Sequence, residues 1–174
     1  IMKPSKAIKE YISNNIADPW VGTDWEGYRG LDPKQKGQVG EMYVEEMMKN
    51  RGYKVKPAAT STAGHDRVIG RTLVEIKFSV AQSAPDKKSI KDNVFMINHV
   101  GEQKDWTRLI FVGINSSTDD VIKFMTKSDF KKCRDIYFKP QQGGKKSGND
   151  DWICCGKKLQ ELLKSKYMRD ISKW

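Results

Sequence analysis

The stretch Gly64-His65-Asp66-Arg67-Val68-Ile69-Gly70-Arg71-Thr72-Leu73-Val74-Glu75-Ile76-Lys77-Phe78-Ser79 decides how this chain is read. Gly70-Arg71 lies between two β-prone runs, 65–69 and 72–79, the pattern of a hairpin with a two-residue turn. Alternation along a strand sends Val74, Ile76 and Phe78 to one face and Glu75, Lys77 and Ser79 to the other. Glu75 and Lys77 then stand about 6.5 Å apart on one face. Asp66 comes nine residues before Glu75, on the opposing arm, so a tight turn brings the two carboxylates together.

Two converging carboxylates suit a hard divalent cation. Mg²⁺ takes oxygen ligands, retains waters and can activate one of them; Mn²⁺ is an alternative occupant. A lysine beside such a pair can orient water or stabilise charge on a phosphate in flight. Next to two acids, Lys77 is expected to stay protonated. An E-x-K spacing by itself is common and also describes a surface ion pair. The combination with a preceding acid, a turn and an apolar strand is more specific.

Upstream, a helix is expected over residues 33–50, from Pro33 to the residues before Gly52. Stepping about 100° per residue places Val39, Tyr43, Val44, Met47 and Met48 on one apolar arc, with Glu41 about 20° beyond its margin. Glu41 is therefore the helical acid best placed to look toward a neighbouring element. An earlier helix carries Ala7, Ile8, Tyr11, Ile12 and Ile16 and ends near Asp18-Pro19. The connection 18–33 is expected to be an irregular loop with anchored aromatic residues.

Downstream, short strands are expected at 53–56 and 151–155. Residues 108–114 and 121–125 pair across a turn at 116–119. Residues 93–100 are apolar enough to be buried but ambiguous between strand and helix. A short helix is expected around 129–134 and a final one over 159–171. Residues 141–150 contain no apolar side chain and three glycines, which reads as a flexible loop. Together these elements predict an α/β single domain over residues 1–174, with a central mixed β-sheet flanked by helices.

These residues resemble the PD-(D/E)XK nuclease superfamily, especially type II restriction endonucleases. Asp66, Glu75 and Lys77 match the family's acid and its (Asp/Glu)-x-Lys pair. Gly37-Gln38-Val39-Gly40-Glu41 resembles the helical stretch whose glutamate often contributes. The family's proline before the aspartate is replaced by His65. The resemblance is firm over about residues 35–80. It implies a restriction-endonuclease-like fold and a metal site made by Asp66, Glu75 and the Ile76 carbonyl, with Glu41 completing it directly or through water. It also implies Mg²⁺-dependent hydrolysis of DNA phosphodiesters that leaves 5′-phosphate ends. His65, Ser79 and Gln82 are possible accessory residues. Lys87, Lys88, Lys91, Lys145 and Lys146 are candidate nucleic-acid contacts.

Composition agrees with a polyanion partner. The chain has 174 residues, 37% hydrophobic and 31% charged, and a formal charge of +10. Residues 127–174 hold 13 basic and 6 acidic side chains, so this short segment carries +7 of that charge. A basic field of this kind favours nucleic acid. The longest apolar run, 109–114, is far below the roughly 20 residues that span a bilayer. Lys3, Lys6, Lys9 and Glu10 interrupt the beginning, so no secretory leader is expected. Cys133, Cys154 and Cys155 make a poor disulfide framework, and with only His65 and His99 a structural zinc site is not expected. The expected compartment is the cytoplasm.

The leading expectation is a type II-like restriction enzyme cutting a short duplex site as a homodimer, since one active site must serve two strands. One alternative keeps the site in a bacterial toxin, with an immunity protein as partner, or in a repair or junction nuclease of low specificity. Another is a non-catalytic nucleic-acid-binding domain.

Overall fold

A computed structural model describes residues 3–82, 89–141 and 150–174, with Asn15 and Ile16 by their backbone alone. Helix α1 spans Lys6–Ile16, with the Ser5 hydroxyl accepting from the Ile8 amide. Helix α2 spans Pro33–Asn50. It begins with a full capping box: Asp32 accepts from the Gln35 amide, and Gln35 reaches back to the Asp32 amide. The connection between the two helices is a series of turns with a 3₁₀ turn at Tyr28–Gly30. Asp18 pins it by accepting from the amides of Trp20 and Gly27.

Among the described residues nine strands follow: β1 Val55–Pro57, β2 Arg67–Ile69, β3 Thr72–Val80, β4 Met96–Val100, β5 Arg108–Ile114, β6 Val121–Thr126, β7 Lys139–Pro140, β8 Trp152–Cys155 and β9 Arg169–Asp170. Helix α3 spans Lys127–Tyr137 and α4 spans Gly156–Lys164. The main sheet has the order β1-β2-β3-β5-β6-β9. Strands β3 and β5 run parallel, with Val74 opposite Arg108 and Val80 opposite Ile114. The other neighbours are antiparallel, so the sheet is mixed and flanked by helices, as the sequence predicts.

The two faces of β3 have different neighbours. Gly40 of α2 sits so close to Phe78 that a Cβ there would stand 2.5 Å from the Phe78 Cβ. The Val74, Ile76 and Phe78 face therefore looks at α2, where Trp25, Tyr28 and Tyr43 also pack around the Phe78 ring. On the opposite face, Ser79 Oγ accepts from the Met96 amide, and Lys77 Nζ donates to the His99 carbonyl. Strand β4 thus covers the Glu75, Lys77 and Ser79 face. It belongs to a second sheet of order β4-β8-β7.

Two sequence expectations are corrected here and one left open is settled. The early strand lies at Val55–Pro57, paired to β2, rather than at 53–56. Residues 93–100 contain a strand, and it pairs in the small sheet with β8. The final helix ends at Lys164, where Ser165 turns the chain and bonds the Leu162 carbonyl through its own hydroxyl. Met168 and Ile171 continue a helix-like apolar spacing, but they reach the core from a turn and a 3₁₀ segment on either side of β9, which pairs with the edge of β6. No helix among the described residues is long and apolar enough to cross a membrane. Trp20 and Trp106 are buried in the core.

Candidate active site

The site is built on the hairpin of β2 and β3. Ile69 lies opposite Thr72, so Gly70 and Arg71 are the two turn residues. Gly70 has φ +62°, a left-handed conformation that glycine adopts without a Cβ clash. Register places Arg67 opposite Val74, both toward α2. Asp66, one residue earlier, turns the other way toward the side of Glu75. Its amide donates to the Val74 carbonyl, and its Oδ2 accepts from the Ile76 amide at 2.7 Å.

Glu75 is almost fully buried, at 2% exposure. Its Oε1 meets Lys77 Nζ at 2.8 Å and Lys104 Nζ at 3.5 Å. Lys77 is held from its other side by the His99 carbonyl at 3.0 Å. His99 has φ +52° at an irregularity in the β4–β8 pairing, which is how a strand residue presents its carbonyl to a side chain from β3. The Asp66 carboxyl is pushed up to about 6. Burial is the main cause and the Glu75 charge the next; the Ile76 amide and Lys77 oppose them, while Glu41 adds a further upward push.

A half-buried Asp66 and a buried Glu75 thus stand on one side of the hairpin with a lysine alongside. Oxygen donors of this kind fit Mg²⁺ or Mn²⁺, which bind through one or two carboxylates and keep waters. A strand residue's N–H and C=O face the same neighbour, so the Ile76 carbonyl leaves β3 on the edge where Asp66 sits. Among the described residues no three His, Cys, Asp or Glu side chains gather closely enough to hold a metal ion together.

Glu41 is elsewhere engaged. It lies on α2, across the sheet from Glu75, and accepts from Arg67 Nη1 at 2.5 Å. Glu45 takes Arg67 Nε at 2.9 Å. Arg67 is buried, so this fork between two helical acids ties α2 to the hairpin. His65 Nδ1 pairs with Asp105 Oδ1 at 2.9 Å, linking the hairpin to the loop before β5. Ser79 anchors β4. The backbone of Gln82 bonds to Val94 and Lys91, and the side chains of Gln82 and Lys91 are exposed. Lys87, Lys88, Lys145 and Lys146 lie outside the described residues.

Sequence reasoning missed Arg67, Lys104 and Asp105. Arg67 carried a signal: a charged residue at an alternation position that should face the core. Lys104 and Asp105 carried none, because parallel pairing of β3 with β5 is what brings residues 101–106 beside the hairpin.

The fold and site define an α/β domain with an acid pair and a lysine on a hairpin of its central sheet. No protein-family model matches the chain, and no curated protein matches it. Among solved structures it is similar to one titled "The structure of a bacterial homing endonuclease: I-Ssp6803I". The TM-score is 0.43 and the identity 11%, over 57% of this chain and 72% of that one.

Proposed function

We propose that this chain is a metal-dependent nuclease of the PD-(D/E)XK type that hydrolyses phosphodiester bonds of duplex DNA. One observation carries the reading: Asp66, whose carboxylate accepts from the Ile76 amide at 2.7 Å, lies on the same hairpin face as buried Glu75, with Lys77 2.8 Å from Glu75. A protein that only bound nucleic acid would gain nothing from two acids held together where phosphate must approach.

Asp66, Glu75 and the Ile76 carbonyl would hold Mg²⁺ or Mn²⁺. Such an ion supplies charge neutralisation between carboxylates and phosphate, and activation of water. Lys77, fixed by Glu75 and the His99 carbonyl, orients the attacking water in line with the leaving 3′ oxygen, so the products carry 5′-phosphate ends. Glu41, paired with Arg67, acts by holding α2 against the hairpin. A homodimer would present two such sites to the two strands and would read a short, two-fold symmetric sequence.

The test is incubation with unmethylated duplex DNA and Mg²⁺. Discrete fragments are expected, lost with EDTA and reduced at least about 10³-fold in Glu75→Ala. A metal-dependent smear would keep the chemistry and replace site specificity with the toxin or repair role. A Glu75→Ala protein that cuts like wild type would place the chemistry elsewhere or in a contaminant.

A further inference from the structure

The nuclease reading leaves unexplained a second cation at Glu75. Lys77 is internal: its side chain is 14% exposed and bonded at both Glu75 and His99. Lys104 is different. Its side chain is 46% exposed, and its ammonium reaches Glu75 Oε1 only at 3.5 Å. Of the two, Lys104 is the one facing outward over the buried carboxylate.

Its backbone is held as firmly as its tip is free. On one side, Gly64 lies so close that a Cβ there would meet the Asp105 amide nitrogen at 2.7 Å and the Lys104 Cα at 3.1 Å. His65 binds the Asp105 side chain. On the other side, Asp150 accepts from the amides of Glu102 and Gln103 at 2.7 and 2.6 Å. Trp106 Nε1 donates to the Gly101 carbonyl at 2.7 Å, and Lys127 Nζ donates to the Lys104 carbonyl. The Lys104 stem lies against Gly101, where a Cβ would come within 3.1 Å of its Cγ. A surface lysine that merely solubilises the protein needs no such platform.

From this arrangement, and resting on the nuclease reading, we infer that Lys104 is a phosphate-binding residue of the site and contacts the phosphodiester being cleaved. Without substrate, the ammonium balances Glu75. A divalent cation held by Asp66 and Glu75 would supply that balancing charge instead and would leave the Lys104 ammonium without its anion. The nearest anion then available to a tethered cation is the phosphate that approaches the same carboxylates from solvent. A fixed base with a movable tip allows this exchange without moving the loop.

The experiment compares wild type, Lys104→Gln, Lys104→Arg and Glu75→Gln by three readouts. These are Mn²⁺ affinity without DNA by calorimetry, affinity for a duplex oligonucleotide with Ca²⁺ by anisotropy, and the cleavage rate with Mg²⁺. Lys104→Gln should bind Mn²⁺ as tightly as wild type or up to about 3-fold more tightly, because a competing cation is gone. Its duplex affinity should fall several-fold, and its cleavage rate should fall on the order of 100-fold. Lys104→Arg should recover most of the rate, since it keeps a cation on the same platform. Cleavage by Lys104→Gln within about 2-fold of wild type overturns the inference. So does loss of Mn²⁺ binding in parallel with activity, which would make Lys104 a support for the metal site. If wild type binds no Mn²⁺ and cuts nothing, the nuclease reading falls first. If wild type does both and Glu75→Gln does neither, a silent Lys104→Gln sinks this inference alone.

Discussion

Asp66 holds its proton more tightly in the folded chain than in the unfolded one, and the sign of that difference gives a stability test. Its carboxyl is raised from about 3.8 to about 6. Stability from the protonated acid is fully present below pH 4 and is lost as pH rises through 6. At pH 8 the buried anion therefore opposes folding, by an amount on the order of 2–3 kcal/mol. Asp66→Asn should raise the unfolding free energy of the metal-free protein at pH 8 and change it little near pH 4. Urea titrations at the two pH values measure this; an equal effect at both would remove the electrostatic account. Mn²⁺ should stabilise wild type at pH 8 and stabilise Asp66→Asn much less, because binding to the native state alone shifts the equilibrium. Arg67 acts through packing and charge together. Replacing it with Ala leaves Glu41 and Glu45 facing each other without their shared partner, which should cost roughly 2–3 kcal/mol.

The contact between α2 and β3 shows how much of the site depends on one missing side chain. In an exposed helix, Gly→Ala gains about 1 kcal/mol from propensity. At Gly40 the new methyl would stand 2.5 Å from Phe78 Cβ and 3.0 Å from its Cγ. Overpacking of this kind costs typically 1–3 kcal/mol, so it should outweigh the propensity gain. Gly40→Ala should lower the melting temperature by a few degrees, a size expected for roughly 1 kcal/mol in a domain of this length. A rise in melting temperature would mean that α2 shifts freely on the sheet. The same elements show what the sequence could reveal. The hairpin was legible because turn chemistry and alternation are local: Gly70, Val74, Ile76 and the acid-lysine pair all lie within one short window. Helix α2 was legible from Pro33 and its apolar arc, yet which way Glu41 turns depended on Arg67, 26 residues away. The small sheet was not legible, because β4 meets β8 some 55 residues later and β7 has only two residues. Nor was the end of α4, where Ser165 stops the helix without a proline or glycine to mark it.

Across the whole molecule, a net positive charge accompanies a local pair of carboxylates. The formal charge is +10, while the centre of the proposed chemistry holds Asp66 and Glu75. The field should drive association with duplex DNA through phosphate contacts, and the carboxylates should oppose the approach of one phosphate to the site itself. The two effects respond differently to salt. Displacing condensed counterions makes affinity fall log-linearly with salt, and about six phosphate contacts would give a slope near −5. Removing the local carboxylate charge should strengthen binding without adding phosphate contacts. In EDTA, the double variant Asp66→Asn with Glu75→Gln should therefore bind a duplex oligonucleotide several-fold more tightly than wild type, with a nearly parallel salt dependence. Anisotropy titrations between 50 and 200 mM salt would measure both quantities. Added Mg²⁺ should bring wild type toward the double variant, because neutralising the pair with a cation and deleting its charge have the same electrostatic effect on an approaching phosphate. If the double variant binds no more tightly than wild type in EDTA, phosphate does not approach this carboxylate pair, and the proposed site is overturned.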